Sequence, residues 1–454
     1  MKEFLHNDLL HLPAELFAYL VVAPMIGWLL ARKRPWQRLV LGLMVFMTSW
    51  HIEKLTLMIM SVETYRGHTK GFEGSHMQVL ALALLWARRR EVPGEFRWLP
   101  PGAGLWFLQC ILCSLSIFTA PNASYVLMAA WKFTSATVML AAAYHMVRDA
   151  EDLRLMLRAV TITLLVQVLV VLKLKYVDGH YQISGWFEHQ NALAIWSYML
   201  GLPLFAAALG PGDPIETRWQ LAGFMASAVL VECSLSRAAL MMFGVGVIAV
   251  SLLSLADGIN LKRLRILFGV GFVGTLGLLV ALGTIIARFH DNGNASSQET
   301  RDLLNAASRA MLHDHWLGVG WNNYGITINH PFPYGDAIDD WERDRGHTVN
   351  EDAPKGLSES LYWLLLSENG YPGAIGFFAF AGLTAWWALR GAWAHRGTLI
   401  GAFLMGLTVA FALAYAHSTL ERVLTQTKNL AMWLLLLGVV ARMETLRKWK
   451  KLNP

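Results

Sequence analysis

Residues 306–324, AASRAMLHDHWLGVGWNNY, lie inside the one long polar insertion, Arg288 to Ser358, of a chain that otherwise runs from one apolar stretch to the next. A connector between membrane spans needs only a few residues, and one of about seventy is a functional segment rather than a tether. The insertion begins with Glu299, Thr300 and Arg301. Leu303, Leu304, Ala307, Met311 and Leu312 then recur at helical spacing, with Ser296, Ser297 and Glu299 as start signals and Gly318 and Gly320 as the stop. An acidic, aromatic-rich middle follows. At the far end Glu359 to Gly373, ESLYWLLLSENGYPG, leads back into apolar sequence.

Outward from that insertion, the composition is that of a membrane protein. Of 454 residues 55% are hydrophobic and 15% charged, against roughly 25% charged in a soluble domain, and the mean hydropathy is +0.41. The apolar runs predict an all-α, polytopic transmembrane helical bundle of about twelve or thirteen spans. They divide the chain into an N-terminal bundle (1–287), a large, partly helical loop (288–358), and C-terminal spans with a basic tail (359–454). The run at 76–88 is short for a core of ~30 Å, which needs about twenty residues. Nineteen Trp suit span ends at the headgroup level. Cys110 and Cys113 have C-x-x-C spacing, but no second pair completes a zinc site, and they read as small apolar residues one turn apart. Met1 to Leu12 is polar and mixed, without the pattern of a cleavable signal.

Lys and Arg mark every second connection, as the positive-inside rule requires. Arg32 to Arg34 and Arg38 follow the first run, Arg88 to Arg90 the third, and Arg148, Arg154 and Arg158 the fifth. Lys262, Arg263 and Arg265 follow the ninth, Arg390 and Arg396 the eleventh, and Arg447, Lys448, Lys450 and Lys451 close the chain. This pattern predicts an outer amino terminus, an inner carboxyl terminus and an outer 288–358 loop. The net charge of +6 is then a topology signal and calls for no nucleic-acid partner.

Charges inside apolar runs cost several kcal/mol unless they face a partner or a wet cavity. Lys132, within YVLMAAWKFTSATVMLAAAY (125–144), is the clearest case, either as half of a structural ion pair or as a ligand-facing cation. His51, Glu53 and Lys54 form a self-neutralising cluster near a span end. Arg237 sits at the break between two runs in ECSLSRAAL (232–240). A cation at a helix start is electrostatically misplaced, and an anionic ligand shared with the helix terminus removes the conflict. Arg301 is a second guanidinium on the same side, able to clamp a diphosphate bidentately. Glu359 and Glu368 bracket the start of the next span, nine residues apart and so on different helix sides. His330 and His347 lie in the polar middle of the loop, either as a candidate base or as a simply solvated side chain. No H-E-x-x-H, P-loop or G-x-S-x-G occurs, so metalloprotease, nucleotidase and serine-hydrolase chemistry lack support.

Taken in order, SGWFEHQNALA (184–194), Ser236 with Arg237, Glu299 to Arg301 with LGVGWNNY (317–324), and LYWLLLSENGYPG (361–373) resemble the bacterial O-antigen ligase and O-antigen polymerase family, with a weaker likeness at Arg66 to Leu85. The resemblance implies an inner-membrane, inverting glycosyltransferase that moves a glycan from undecaprenyl diphosphate to a hydroxyl of an acceptor glycan or glycolipid on the periplasmic face. It also implies that Arg237 and Arg301 bind the diphosphate. Where many ligases have a histidine as base, this chain has Glu359. A lipid diphosphate is already a good leaving group, so such chemistry chiefly needs its developing charge stabilised, without metal or other cofactor. A different class of reading, a transporter or flippase for a lipid-linked anion, would use Lys132 and the arginines as a translocation path and calls for inverted repeats or broken helices. No internal repeat is evident.

Overall fold

The computed structural model describes residues 11–50, 57–62, 65–289, 293–346, 349 and 354–452, and nearly all of its regular structure is helical. Among the described residues, eight helices are long and apolar enough to cross a membrane, from His11–Leu30 to Thr427–Arg447. The other apolar runs also form helices. Arg34–Met47 has 14 residues and His76–Glu91 has 16. Ala103–Ser114 is prolonged by a 3-10 turn to Phe118, Pro214–Ser234 carries Glu216 and Glu232, and Leu261–Phe289 opens with Lys262, Arg263 and Arg265.

One expected span differs in shape. Among its described residues, the second apolar run, read from the sequence as a span over 37–58, is helical over Arg34–Met47. There the hydroxyls of Thr48 and Ser49 donate back to the carbonyls of Val45 and Phe46, satisfying the last turn without continuing it. Leu57–Ile59 then pairs antiparallel with Phe72–Gly74, Met58 opposite Glu73. His51, Glu53 and Lys54 lie outside the described residues.

The axis of the bundle is Gln190–Leu209, in which every residue from Asn191 onward is buried. Small residues let its neighbours approach closely. A Cβ on Gly406 of the Leu399–His417 helix would meet the Leu202 carbonyl at 2.7 Å, and one on Gly223 of Pro214–Ser234 would meet Leu204 at 2.6 Å. Pro203 within the axial helix is tolerated because neighbouring helices enclose it.

Ion pairs sort the connections into two ends. Arg34 bonds Asp149 at 2.5 Å and Asp152 at 3.0 Å, Arg148 bonds Glu91 at 2.7 Å, and Arg396 pairs with Asp257. Each of these joins two connections of the basic set. At the opposite end, here called the loop end, Thr119 donates to the Gly318 carbonyl and the amide of Asn122 to Asn323. The alternation read from the basic residues therefore matches the way the connections meet.

The loop carries its own small core. Leu304, Ala307 and Met311, on the Gly293–Asp314 helix, pack with Val319, Tyr324, Ile328, Ile338 and Leu357. These include three of the apolar residues that predicted the helix. Leu364 joins the same cluster from the Leu361–Ala394 helix and so fastens the loop to the bundle.

Candidate functional site

Three segments far apart in sequence are knitted together at the loop end. The side chain of Asn322 accepts from the backbone amide of His68 at 2.6 Å and donates to the Thr69 carbonyl at 3.0 Å, which fixes residues 65–70 against the loop. Residues 316–320 in turn lie along the kink of the Leu361–Ala394 helix. The Val319 amide donates to the Ser367 carbonyl at 2.8 Å, the Gly320 amide to the Glu368 carbonyl at 3.0 Å, and the Tyr371 amide to the Trp316 carbonyl at 3.1 Å. Gly370, at φ 59° and ψ −164°, makes the kink. The motifs LGVGWNNY and ENGYPG are thus two halves of one joint.

Within that joint Glu368 is fully buried. One of its oxygens accepts the Tyr324 amide at 3.2 Å, and the other lies 2.9 Å from Nε2 of His68. Beside His68 opens a cavity of about 210 Å³. Four cationic side chains line it, Lys70, Lys132, Arg422 and Lys428, against two carboxylates, Glu73 and Glu188. Lys132, on the Ala123–Ser135 helix just before the break at Ala136, donates to the His68 carbonyl at 2.6 Å. Lys428 donates to the Trp186 carbonyl, with its ammonium 5.1 Å from the centre of the Phe187 ring. Glu73 accepts from the Thr427 hydroxyl at 3.1 Å.

Arg422 differs from Lys132 and Lys428 in this lining, and from Lys70 in being withdrawn from solvent. Among the described residues its guanidinium makes no hydrogen bond or ion pair, although the carboxylates of Glu368, Glu359, Glu421 and Glu188 all act on it electrostatically. Burial pulls its proton affinity down and those four carboxylates push it up. Charged groups are ordinarily held by partners when they leave bulk water. A guanidinium presented to a cavity without one is an anion-binding group.

Adjoining Arg422 is a second polar cluster. Arg301 bonds Glu359 through Nε and Glu421 at 3.1 Å through a terminal nitrogen. The same Glu421 oxygen accepts from the side-chain amide of Asn191, the first buried residue of the axial helix. Burial, then the neighbouring Glu359, push the Glu421 carboxyl up to about 7. Burial also lowers the pKa of His189, the residue that caps the axial helix.

The expected residues fall as follows. Lys132 lines the cavity. Arg301 and Glu359 are brought together, but as partners, so the Arg301 fork is already filled by two carboxylates. Arg237 begins the Arg237–Ala256 helix behind a Ser236 cap, as its sequence predicted, and neither it nor Arg301 lines the cavity. His330 is half-exposed in the loop, 3.4 Å from Asp339, whose carboxylate also bonds Lys355 at 2.9 Å. His347 lies outside the described residues. Sequence reasoning passed over Arg422, Lys428, Glu421 and His68. The signal for three of them was present in STLERVLTQTKN (418–429), a polar connection between two apolar runs that is dense in hydrogen-bonding groups. Comparison with protein-family models and with curated proteins finds no match to this chain.

Proposed function

We propose that the chain is a bacterial inner-membrane glycosyltransferase that moves a glycan from undecaprenyl diphosphate to an acceptor hydroxyl on the periplasmic face, as an O-antigen ligase or polymerase would. The observation that carries this reading is the cavity with Arg422 unpartnered among four cations. A glycosyl diphosphate gains negative charge on its bridging oxygen as the glycosidic bond breaks. Preorganised cations aimed at that oxygen lower the barrier because they bind the departing diphosphate more strongly than the intact donor. Lys132 and Lys428 are anchored to backbone carbonyls, so they need no reorganisation when the charge develops. The twelve or thirteen crossings and the outer placement of the loop belong to the same proposal.

Topology is the first test. Reporters fused near Asp314 and Asp340 should read periplasmic, and those near Asp257 and Arg447 cytoplasmic. A cytoplasmic loop would end the proposal, since it places the cavity on the face opposite the mature carrier-linked chains. Surface glycans of a deletion strain then separate the classes. Lipid-linked polymer accumulating without attachment marks a ligase, and single repeat units in place of chains mark a polymerase. Carrier-linked glycan trapped on the cytoplasmic face would instead mark a flippase.

Lys132→Met removes the charge and keeps the apolar stem. Its expected effect is at least about tenfold weaker undecaprenyl diphosphate binding, on the scale of one charge-assisted hydrogen bond. Titration of the purified protein with that lipid reads it directly. An unchanged affinity would reduce Lys132 to a tether for the His68 backbone.

A further inference from the structure

We propose that Glu421, rather than Glu359 or a loop histidine, is the group that takes the proton of the acceptor hydroxyl. The inference rests on the transferase reading above and names the base of that same site. In the step, the hydroxyl oxygen forms a bond to the anomeric carbon while the bond from that carbon to the diphosphate breaks. The bonding pair leaves with the diphosphate, whose charge the cavity cations receive, and the hydroxyl proton passes to a carboxylate oxygen of Glu421. Atoms and charge balance without any further reactant.

Four observations single out Glu421. First, it precedes Arg422 in the chain, so the two Cα atoms lie ~3.8 Å apart: Glu421 does not itself line the cavity, but it adjoins the half-buried guanidinium that does. Second, it is held: one oxygen accepts from both Asn191 and Arg301. Third, its other oxygen carries no hydrogen bond among the described residues and is not enclosed, which leaves it available to a hydroxyl. Fourth, two carboxylates share one guanidinium, since Arg301 bonds both Glu359 and Glu421. With both ionised the trio carries a net negative charge, and one proton makes it neutral. Proton uptake is therefore favoured by the cluster's own charge count, and the buried member, Glu421, receives it, because Glu359 remains substantially open to water.

The groups facing Glu421 come from every element packed on it: Asn191 from the axial helix, Arg301 from the loop helix, Glu359 from the start of the next span, and Arg422 from its own connection. Burial and Glu359 raise its proton affinity; Asn191, Arg301 and Arg422 lower it, and the balance is a carboxyl near 7. Such a base is ionised often enough to act and basic enough to hold the proton it gains.

Two measurements test this. Infrared titration of the purified full chain between about pH 5 and pH 8 looks for a protonated carboxyl band where ordinary Asp and Glu are already ionised. The band should be present in wild type, shifted to lower pH in Glu359→Gln, which removes the neighbouring charge, and absent in Glu421→Gln. The second measurement is single-turnover transfer from undecaprenyl-diphosphate-linked glycan in membranes. Wild type should lose rate below about pH 7 with a one-proton slope, and Glu421→Gln should be slower by ~10² to 10⁴ fold with that limb gone. Its undecaprenyl diphosphate affinity should be unchanged, because Gln still accepts from Asn191 and Arg301. A wild-type protein without the band, or a Gln variant within about threefold of wild type with the limb intact, overturns the assignment while leaving the transferase reading standing. Wild-type membranes that bind the carrier lipid but transfer nothing overturn both.

Discussion

Arg422→Gln should lower glycan transfer by at least ~10² to 10³ fold, the usual cost of losing one donor aimed at a developing oxyanion, while the protein folds normally. The second half of that expectation follows from the structure as directly as the first. The Arg422 guanidinium has no partner among the described residues, so its removal orphans no carboxylate. It also relieves the burial of a charge whose proton affinity is already depressed by desolvation. Arg301→Gln is the contrasting case. It leaves Glu359 and Glu421 facing each other without their shared cation, which raises the proton affinity of the buried Glu421 and loosens the loop helix from the span that follows it. Arg422→Lys should recover only part of the loss, because an ammonium keeps the charge but not the two-point fork. Transfer in membranes, undecaprenyl diphosphate titration and a melting curve for each variant separate these effects. If Arg422→Gln transfers normally, the cavity is not where the diphosphate charge develops, and the transferase reading loses the observation it stands on.

Much of the architecture is visible in the sequence because its signals are local. The alternation of basic connections survives as a physical alternation of ends, since Arg34, Arg148 and Arg396 find their acids only in connections of the same set. The loop helix is visible because Leu304, Ala307 and Met311 must share a face to build a core. Lys132 stands out because a lone cation in an apolar run has to be explained.

What the sequence hides is pairing across distance. Arg301 looks like a free clamp for an anion until Glu359 and Glu421, 58 and 120 residues away, fill its fork. Arg422 looks like an ordinary charge in a short connection, next to an acid that should neutralise it. Only the fold shows that Glu421 turns to Arg301 and Asn191 instead, leaving the arginine to the cavity. His68 is similar: nothing local says that its ring will meet Glu368, 300 residues on. Periodicity and composition report burial, whereas a site is a set of meetings that periodicity does not encode.

The joint that creates those meetings depends on one glycine, and Gly370→Ala should have the largest structural effect of any single substitution here. Gly370 sits at φ 59° and ψ −164°, a region essentially reserved for glycine. A Cβ there would also lie 2.1 Å from the Trp316 carbonyl oxygen and 2.4 Å from the Leu317 carbonyl carbon. Both are backbone atoms of the segment that hydrogen-bonds to the kink through Val319, Gly320 and Tyr371, so neither can swing aside as a side-chain tip would. Backbone strain of ~1 to 3 kcal/mol adds to an overpacking cost of ~1 to 3 kcal/mol. The sum, ~2 to 6 kcal/mol, is comparable with the whole stability of many domains. The helix can lower that cost only by straightening, which withdraws the Ser367 and Glu368 carbonyls from the loop and with them the Glu368 carboxylate from Tyr324 and His68. The 65–70 segment would then keep its bonds to Asn322 and Lys132 but lose the carboxylate that holds the His68 ring, so the His68 carbonyl that holds Lys132 would be less firmly fixed. Gly370→Ala should therefore melt well below wild type in detergent, and any folded fraction should bind undecaprenyl diphosphate weakly. Gly382→Ala, on the same helix but with nothing within 4 Å of the added Cβ, should leave both unchanged. Equal melting of the two variants would mean that the loop does not depend on the kink for its seat, and that the cavity is shaped by the bundle alone.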